Sequence, residues 1–298
     1  VDPAKTLYGA TRWLWLSALV GGALFGFGMV LASGCGSKTL VRIGAGNLKS
    51  MVVFVVMAAA AFATLKGITA VARVATVDRV GVDLPGGTSL SQILMPWTGM
   101  PLGTVALACG LLVGGALAMW ALLGRGFLTG DNLLAGIGIG ALVAAAWWLS
   151  AGLGHLAEHP ETLQEAFVAT NSGRAEALSF VAPVAYTLDW LLFFSDKSKV
   201  LTLGIVSVAG VVAGSWLCAV IQRTFRWEGF GSTEDLANHL AGACLMGVGG
   251  VTAMGCTIGQ GLSGISTLSI TSFVAVCGIV AGAVLAFKYQ VWRLERLG

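Results

Sequence analysis

Seven apolar stretches, each close to the roughly 20 residues a helix needs to cross the hydrocarbon of a bilayer, decide what this chain can fold into. They fall at about 13–33, 51–72, 102–123, 133–152, 201–221, 236–254 and 272–292. Within hydrocarbon every backbone N–H and C=O must be bonded inside the protein, and a helix does this within one segment. Composition agrees with lipid as the solvent, because only 10% of the 298 residues are charged, against about 25% in soluble domains. The expected fold class is an all-α integral membrane protein, a polytopic helical bundle.

Two apolar stretches are interrupted. Residues 178–194 contain Pro183 and Asp189, and residues 93–100 contain Pro96 and Gly99. Such segments suit re-entrant or cavity-lining positions rather than a lipid-facing span. Polar connections cover 73–91, 124–131, 155–176 and 223–235, and the acidic third one is expected to form a short surface helix. The chain begins Val1-Asp2-Pro3, with neither an initiator methionine nor a signal peptide, and so reads as truncated or processed at its start.

The net charge of +3 is small and dispersed between apolar blocks, which excludes a nucleic-acid face. Six cysteines in a chain of this length do not make a disulfide framework, and free thiols are expected. Placing Lys288, Arg293 and Arg296 in the cytoplasm also puts Lys38, Arg42, Lys49, Arg125, Arg223 and Arg226 there. The bias is slight, since Lys5, Arg12, Arg73, Arg79, Arg174, Lys197 and Lys199 remain opposite.

A repeat is visible. Gly26-Phe27-Gly28, five residues and Gly34-Cys35 match Gly247-Val248-Gly249, five residues and Gly255-Cys256. In each copy an apolar span leads into the Gly-Cys pair, a small polar stretch follows, and a further span begins. One transport domain over 1–298 is expected, with repeat unit A at about 13–72, repeat unit B at about 236–292, and intervening spans over 73–235. Counting spans gives the copies opposite membrane directions. Inverted repeats of this kind place substrate near the midplane, where helices are broken.

The interruptions read Gly34-Cys35-Gly36-Ser37-Lys38-Thr39 and Gly255-Cys256-Thr257-Ile258-Gly259-Gln260-Gly261. A helix restarting after each break exposes N–H groups that attract anions, and such backbone must line a cavity. The candidate substrate-binding residues are Gly34, Cys35, Gly36, Ser37, Lys38, Gly255, Cys256, Thr257 and Gln260. A thiol is a weak, polarisable donor suited to a soft terminal sulfur, so the implied substrate is a small anion with exposed sulfur. A dianion passes best if both thiols stay protonated, whereas a helix N-terminus favours thiolate. Cysteine is also a small apolar residue that simply packs. Cys109, Cys218, Cys244 and Cys277 are read that way.

Other features have plainer readings. Lys38 and Arg42 either guide anions to the cytoplasmic mouth or anchor that side at the headgroups. Asp189 either couples transport to an ion or sits near an interface. His155, Glu158 and His159 precede Pro160 and Glu161 in a solvated loop rather than a metal site. Gly136, Gly138 and Gly140 follow no strand and read as helix packing rather than a nucleotide loop. No metal, cofactor or catalytic residue is expected.

The run from Gly34-Cys35-Gly36-Ser37-Lys38 through Arg42-Ile43-Gly44 to Gly46-Asn47-Leu48-Lys49, together with Gly255-Cys256-Thr257-Ile258-Gly259-Gln260-Gly261, closely resembles the YeeE/YedE family. The likeness extends to Asp131-Asn132-Leu133-Leu134, Asn171-Ser172, Phe180-Val181-Ala182-Pro183-Val184-Ala185-Tyr186 and Arg226-Trp227-Glu228-Gly229-Phe230. The resemblance implies a bacterial inner-membrane protein with an inverted-repeat helical fold, linked to thiosulfate uptake. In that family pore cysteines hand the ion onward by thiol hydrogen bonds, a role that falls on Cys35 and Cys256. It implies a soluble TusA-like sulfur carrier as partner. Family members carry a third cysteine motif nearer the N-terminus, which has no counterpart here, so an N-terminal helix unit is expected to be missing. The alternative is a membrane thiol-disulfide oxidoreductase using Cys35 and Cys256, although no Cys-x-x-Cys motif supports it.

Overall fold

A computed structural model of the protein describes residues 2–124, 126–160 and 163–297. Its α-helices are α1 (Trp15–Leu31), α2 (Gly36–Gly44), α3 (Leu48–Lys66), α4 (Ile68–Ala75), α5 (Leu90–Thr98), α6 (Leu102–Leu123), α7 (Gly130–Trp148), α8 (Ala182–Leu192), α9 (Leu203–Ile221), α10 (Thr233–Thr252) and α11 (Ile270–Leu297). Six candidate spans among the described residues are long and apolar enough to cross a membrane, the first covering α1 and α2 together. The protein is therefore a polytopic helical membrane protein. The apolar stretch at about 236–254 forms α10, which is not one of the six. Its first two turns carry Glu234, Asp235, Asn238 and His239, and these lower its hydropathy. Arg125 and Glu161 lie outside the described residues.

The chain divides into two compact units. One comprises Leu14–Val82, Leu178–Gly261 and Thr271–Gly298. Here α10 packs against both α1 and α3, α2 lies on α9, and α8 contacts α3 and α9. Water does not drive helices together inside lipid, so close packing and dispersion must do it. Glycine makes that possible: a Cβ on Gly21 would come 2.8 Å from the Gly249 carbonyl oxygen, and one on Gly22 would come 2.4 Å from that of Ala275. Thus α1 is pressed backbone to backbone against α10 on one side and α11 on the other. The core beside this seam contains Phe25, Leu40, Met57, Val181, Val184, Met246 and Cys256.

The other unit comprises Val1–Trp13, Asp83–Ala177 and Leu262–Ile270. Ser89 caps α5 through a capping box with Gln92, which lets a short helix form despite Pro96. The hydroxyls of Thr88 and Ser269 both donate to the Tyr8 carbonyl oxygen, each at 2.9 Å. Residues 155–176 do not form the expected surface helix. They form a short antiparallel pair, His155–Leu156 with Ala166–Phe167, because Pro160 cannot supply a helical N–H and a clasp to the N-terminal segment is available. That clasp joins Glu165 to Lys5 and to His155, the latter at 2.6 Å. Gly136, Gly138 and Gly140 lie on α7 with open space where a Cβ would stand. They are not close-packed within this chain, contrary to the sequence expectation.

Candidate functional site: two matched helix breaks

Helix α1 ends on a turn in which the Gly34 N–H reaches back to the Met29 carbonyl and the Ser33 N–H to that of Val30. Helix α10 ends identically: Gly255 N–H to Gly250 and Met254 N–H to Val251. Both are Schellman turns, which need a left-handed residue just past the helix end. That residue is usually glycine, yet here it is Ser33 (φ 61°) and Met254 (φ 57°). Each turn delivers the chain to Gly-Cys, after which a new helical segment begins. The first contact of that segment is again the same, with the Thr39 N–H bonding the Cys35 carbonyl and the Gln260 N–H that of Cys256.

The two breaks diverge further on. Segment α2 is a regular α-helix, whereas Gly259–Gly264 is π-helical. A π-turn accommodates an inserted residue. The next left-handed positions, Gly46 and Leu268, accordingly fall one residue out of the register that Ser33 and Met254 set.

Cys35 is the extended N-cap residue of α2 and makes no side-chain cap bond. Its Sγ lies 3.2 Å from Ser37 Oγ, and the thiol is half-buried. Thr257 Oγ1 lies alongside it without a hydrogen bond of normal geometry. Cys256 is fully buried, and its Sγ accepts the Gly259 N–H at 3.4 Å. Cys256 belongs to the core cluster of Leu40, Met57 and Phe180, and Cys35 packs against the same cluster. Both breaks thus meet at one core. A mostly apolar cavity of about 400 Å³ runs beside them, bordered by Met29 of α1, Thr257, Gly261 and the α11 residues Val276, Ile279 and Val280.

The remaining sequence-predicted positions separate by role. Gly36 is buried beside Met57 and Phe180. Gly34 leaves room for the Lys38 methylenes, which a Cβ there would meet at 2.8 Å, while Lys38 itself is exposed. Gln260 is fully buried, with its Nε2 donating to the Ala253 carbonyl. Asp189 is ion-paired with Lys199 at 2.6 Å. All six cysteines are free. Cys109 packs in a small core with Val105 and Leu268, but Cys218, Cys244 and Cys277 are exposed on their helices, so packing does not account for them. His155 faces Glu165, and among the described residues no three His, Cys, Asp or Glu side chains converge as a metal site. Two features escaped sequence reading: the left-handed residues before each Gly-Cys, and the bond that Arg42 Nη1 donates to the Ser33 carbonyl at 3.0 Å. The signal for the first was the matched position in both copies.

A sequence family described as sulphur transport matches residues 5–285. The chain belongs to this sulphur transport (YeeE/YedE) family. It is similar to a thiosulfate transporter of Escherichia coli K12, TsuA, at 28% identity over 273 residues, covering 86% of this chain and 69% of the relative. A thiosulfate transporter TsuA of Spirochaeta thermophila is 25% identical over 277 residues, covering 89% of this chain and 74% of that protein. For this member of the sulphur transport family, both Gly-Cys breaks fall inside the matched region.

Proposed function

We propose that this protein carries thiosulfate, or a closely related small sulfur anion, across the bacterial inner membrane through a passage at the two Gly-Cys breaks. The observation that carries the reading is the pairing of two identical helix-ending turns, each presenting a cysteine, at one core. The names of both relatives support the choice of thiosulfate. The two copies act as repeat units within a single transport domain, and their matching turns support a common origin.

The chemistry follows from the donors. Because Thr39 is the first residue of α2 to bond back along the chain, the Gly36, Ser37 and Lys38 N–H groups have no intrahelical acceptor. They surround the Cys35 thiol with a positive helix end. A sulfur anion meets a soft S–H donor backed by backbone N–H groups, with Ser37 and Thr257 hydroxyls at hand. Cys256 takes the ion next, across the shared core. Weak thiol bonds suit passage, since an ion held tightly cannot leave. A TusA-like carrier receives the ion in the cytoplasm.

Uptake of labelled thiosulfate into liposomes containing the purified chain tests the reading. Cys35→Ala and Cys256→Ala should each reduce uptake at least about tenfold. Unchanged uptake in both variants refutes it. A substrate-dependent disulfide between the two cysteines, detected by mass spectrometry, would instead assign a thiol oxidoreductase.

A further inference from the structure

We infer that Arg42 and Gln260 are a matched pair of positioning residues, each reaching back across its own helix break to hold a carbonyl at the end of the preceding helix and thereby aim the cysteine between them. In the first break, Arg42 of α2 donates to the Ser33 carbonyl at 3.0 Å. In the second, Gln260 donates to the Ala253 carbonyl. The two side chains differ in type and occupy different positions after their cysteines, yet they do the same work on carbonyls at equivalent turns. This inference rests on the transport reading and adds the residues that set its geometry.

The need for such residues follows from the turns. A Schellman turn satisfies two of the carbonyls in the last helical turn and leaves the outermost ones without intrahelical donors. Here the left-handed residue is not glycine at either break, so each turn carries a conformational cost that a neighbouring bond must offset. At depth in a membrane a bare carbonyl is costly as well. Arg42 supplies a charged donor at the half-exposed break, and Gln260 supplies a neutral one at the sealed break, where an unpaired charge would be expensive. Gln260 Oε1 has no hydrogen-bond partner among the described residues, so the amide's bonding role lies in Nε2. The tightness of that second turn is visible at Gly255, where a Cβ would meet the Gln260 Cγ at 3.1 Å.

Arg42 as a positioning residue is distinct from Arg42 as a charge that steers anions. Steering predicts a salt-dependent change in half-saturation and no effect on a neutral reagent. Positioning predicts a change at the thiol itself, with no anion present. The test is the rate at which N-ethylmaleimide, which is uncharged, alkylates Cys35 and Cys256 without thiosulfate, read residue by residue by mass spectrometry, together with uptake kinetics in liposomes.

Arg42→Met should change the Cys35 alkylation rate by about threefold or more and lower the maximal uptake rate severalfold, with Arg42→Lys restoring both. Gln260→Met, which keeps the shape and removes the donor, should raise Cys256 alkylation by about tenfold. Wild-type alkylation of Cys35 in Arg42→Met overturns the inference, whatever uptake does. If Gln260→Met does not fold, the half-buried Arg42 position decides alone. Full uptake by the cysteine-to-alanine variants would defeat the transport reading separately, because the alkylation measurement needs no substrate.

Discussion

Gly28 of α1 and Gly242 of α10 face each other so closely that a Cβ on either would lie 2.6 Å from the carbonyl oxygen of the other. Neither carbonyl can move aside without disturbing its own helix. Gly28→Ala or Gly242→Ala should therefore destabilise the protein by about 1–3 kcal/mol, measured by thermal unfolding in detergent. The double variant should cost less than the sum, because helices already parted by one methyl accept a second. Gly114→Ala on α6, where space is open, should be neutral or slightly stabilising.

Ser33 holds φ 61° on an exposed turn. Ser33→Gly relieves roughly 1–2 kcal/mol of left-handed strain but gives back roughly 0.5–1 kcal/mol in chain entropy, so a small net gain in melting temperature is expected. Ser33→Val should go the other way by about 1 kcal/mol or more, since a β-branched residue tolerates this conformation poorly.

The thiols at the two breaks differ in access: Cys35 is half-buried and Cys256 is fully buried. In the wild-type protein N-ethylmaleimide should modify Cys35 at least about tenfold faster than Cys256. Equal rates, measured by mass spectrometry at short reaction times, would contradict the burial described for Cys256.

Asp189 and Lys199 form an unequal pair, with the carboxylate side chain 9% exposed and the ammonium side chain 26% exposed. Lys199→Met leaves a buried carboxylate without its counter-charge and should cost roughly 2–3 kcal/mol, while Asp189→Asn leaves only a half-exposed lysine and should cost about 1 kcal/mol. Thermal unfolding of the two variants distinguishes them, and a reversed order would rule out the ion pair as the reason for burying Asp189.

The Lys5–Glu165 clasp titrates in a definite direction. The hydrogen bond from Lys5 holds the Glu165 carboxyl below the usual carboxylate range and raises the Lys5 ammonium. Because the carboxyl is depressed in the folded state, its contribution is present above the unfolded value and is lost as pH falls through the folded one. The lysine contribution is lost only as pH rises through its own raised value. Protection against hydrogen exchange at residues 155–160 and 163–167, corrected for the intrinsic pH dependence of amide exchange, should therefore fall in acid below the ordinary carboxylate range, and Glu165→Gln should abolish that acid step.

Spans were legible in the sequence because lipid allows few alternatives: the apolar stretches become helices within a few residues of the expected ends. The exception, α10, fails the hydropathy standard through Glu234, Asp235, Asn238 and His239, which sit in its first two turns. The Gly-Cys spacing marked both breaks, since glycine and a thiol are unusual together where a helix must stop. Ser33 and Met254 were marked by nothing but their matched place before Gly-Cys, because the left-handed position of such a turn is normally glycine and neither residue advertises it. Arg42 and Gln260 were named, but for contact with an anion or a headgroup. Their carbonyl partners come from the turn geometry, which the sequence states only once it folds. The 155–176 hairpin was missed because its determinant, Glu165 gripping Lys5, spans most of the distance back to the start of the chain.

The glycine seam has a mechanical consequence. Helix α1 is wedged on two flanks by bare main chain, at Gly21 and Gly28 toward α10 and at Gly22 and Gly26 toward α11, and such joints have no side-chain padding to absorb rotation or sliding. The helices that hold up both cysteines therefore behave as one girder. Under the transport reading proposed above, opening and closing would fall to the segments that restart at Gly36 and Thr257 rather than to this frame.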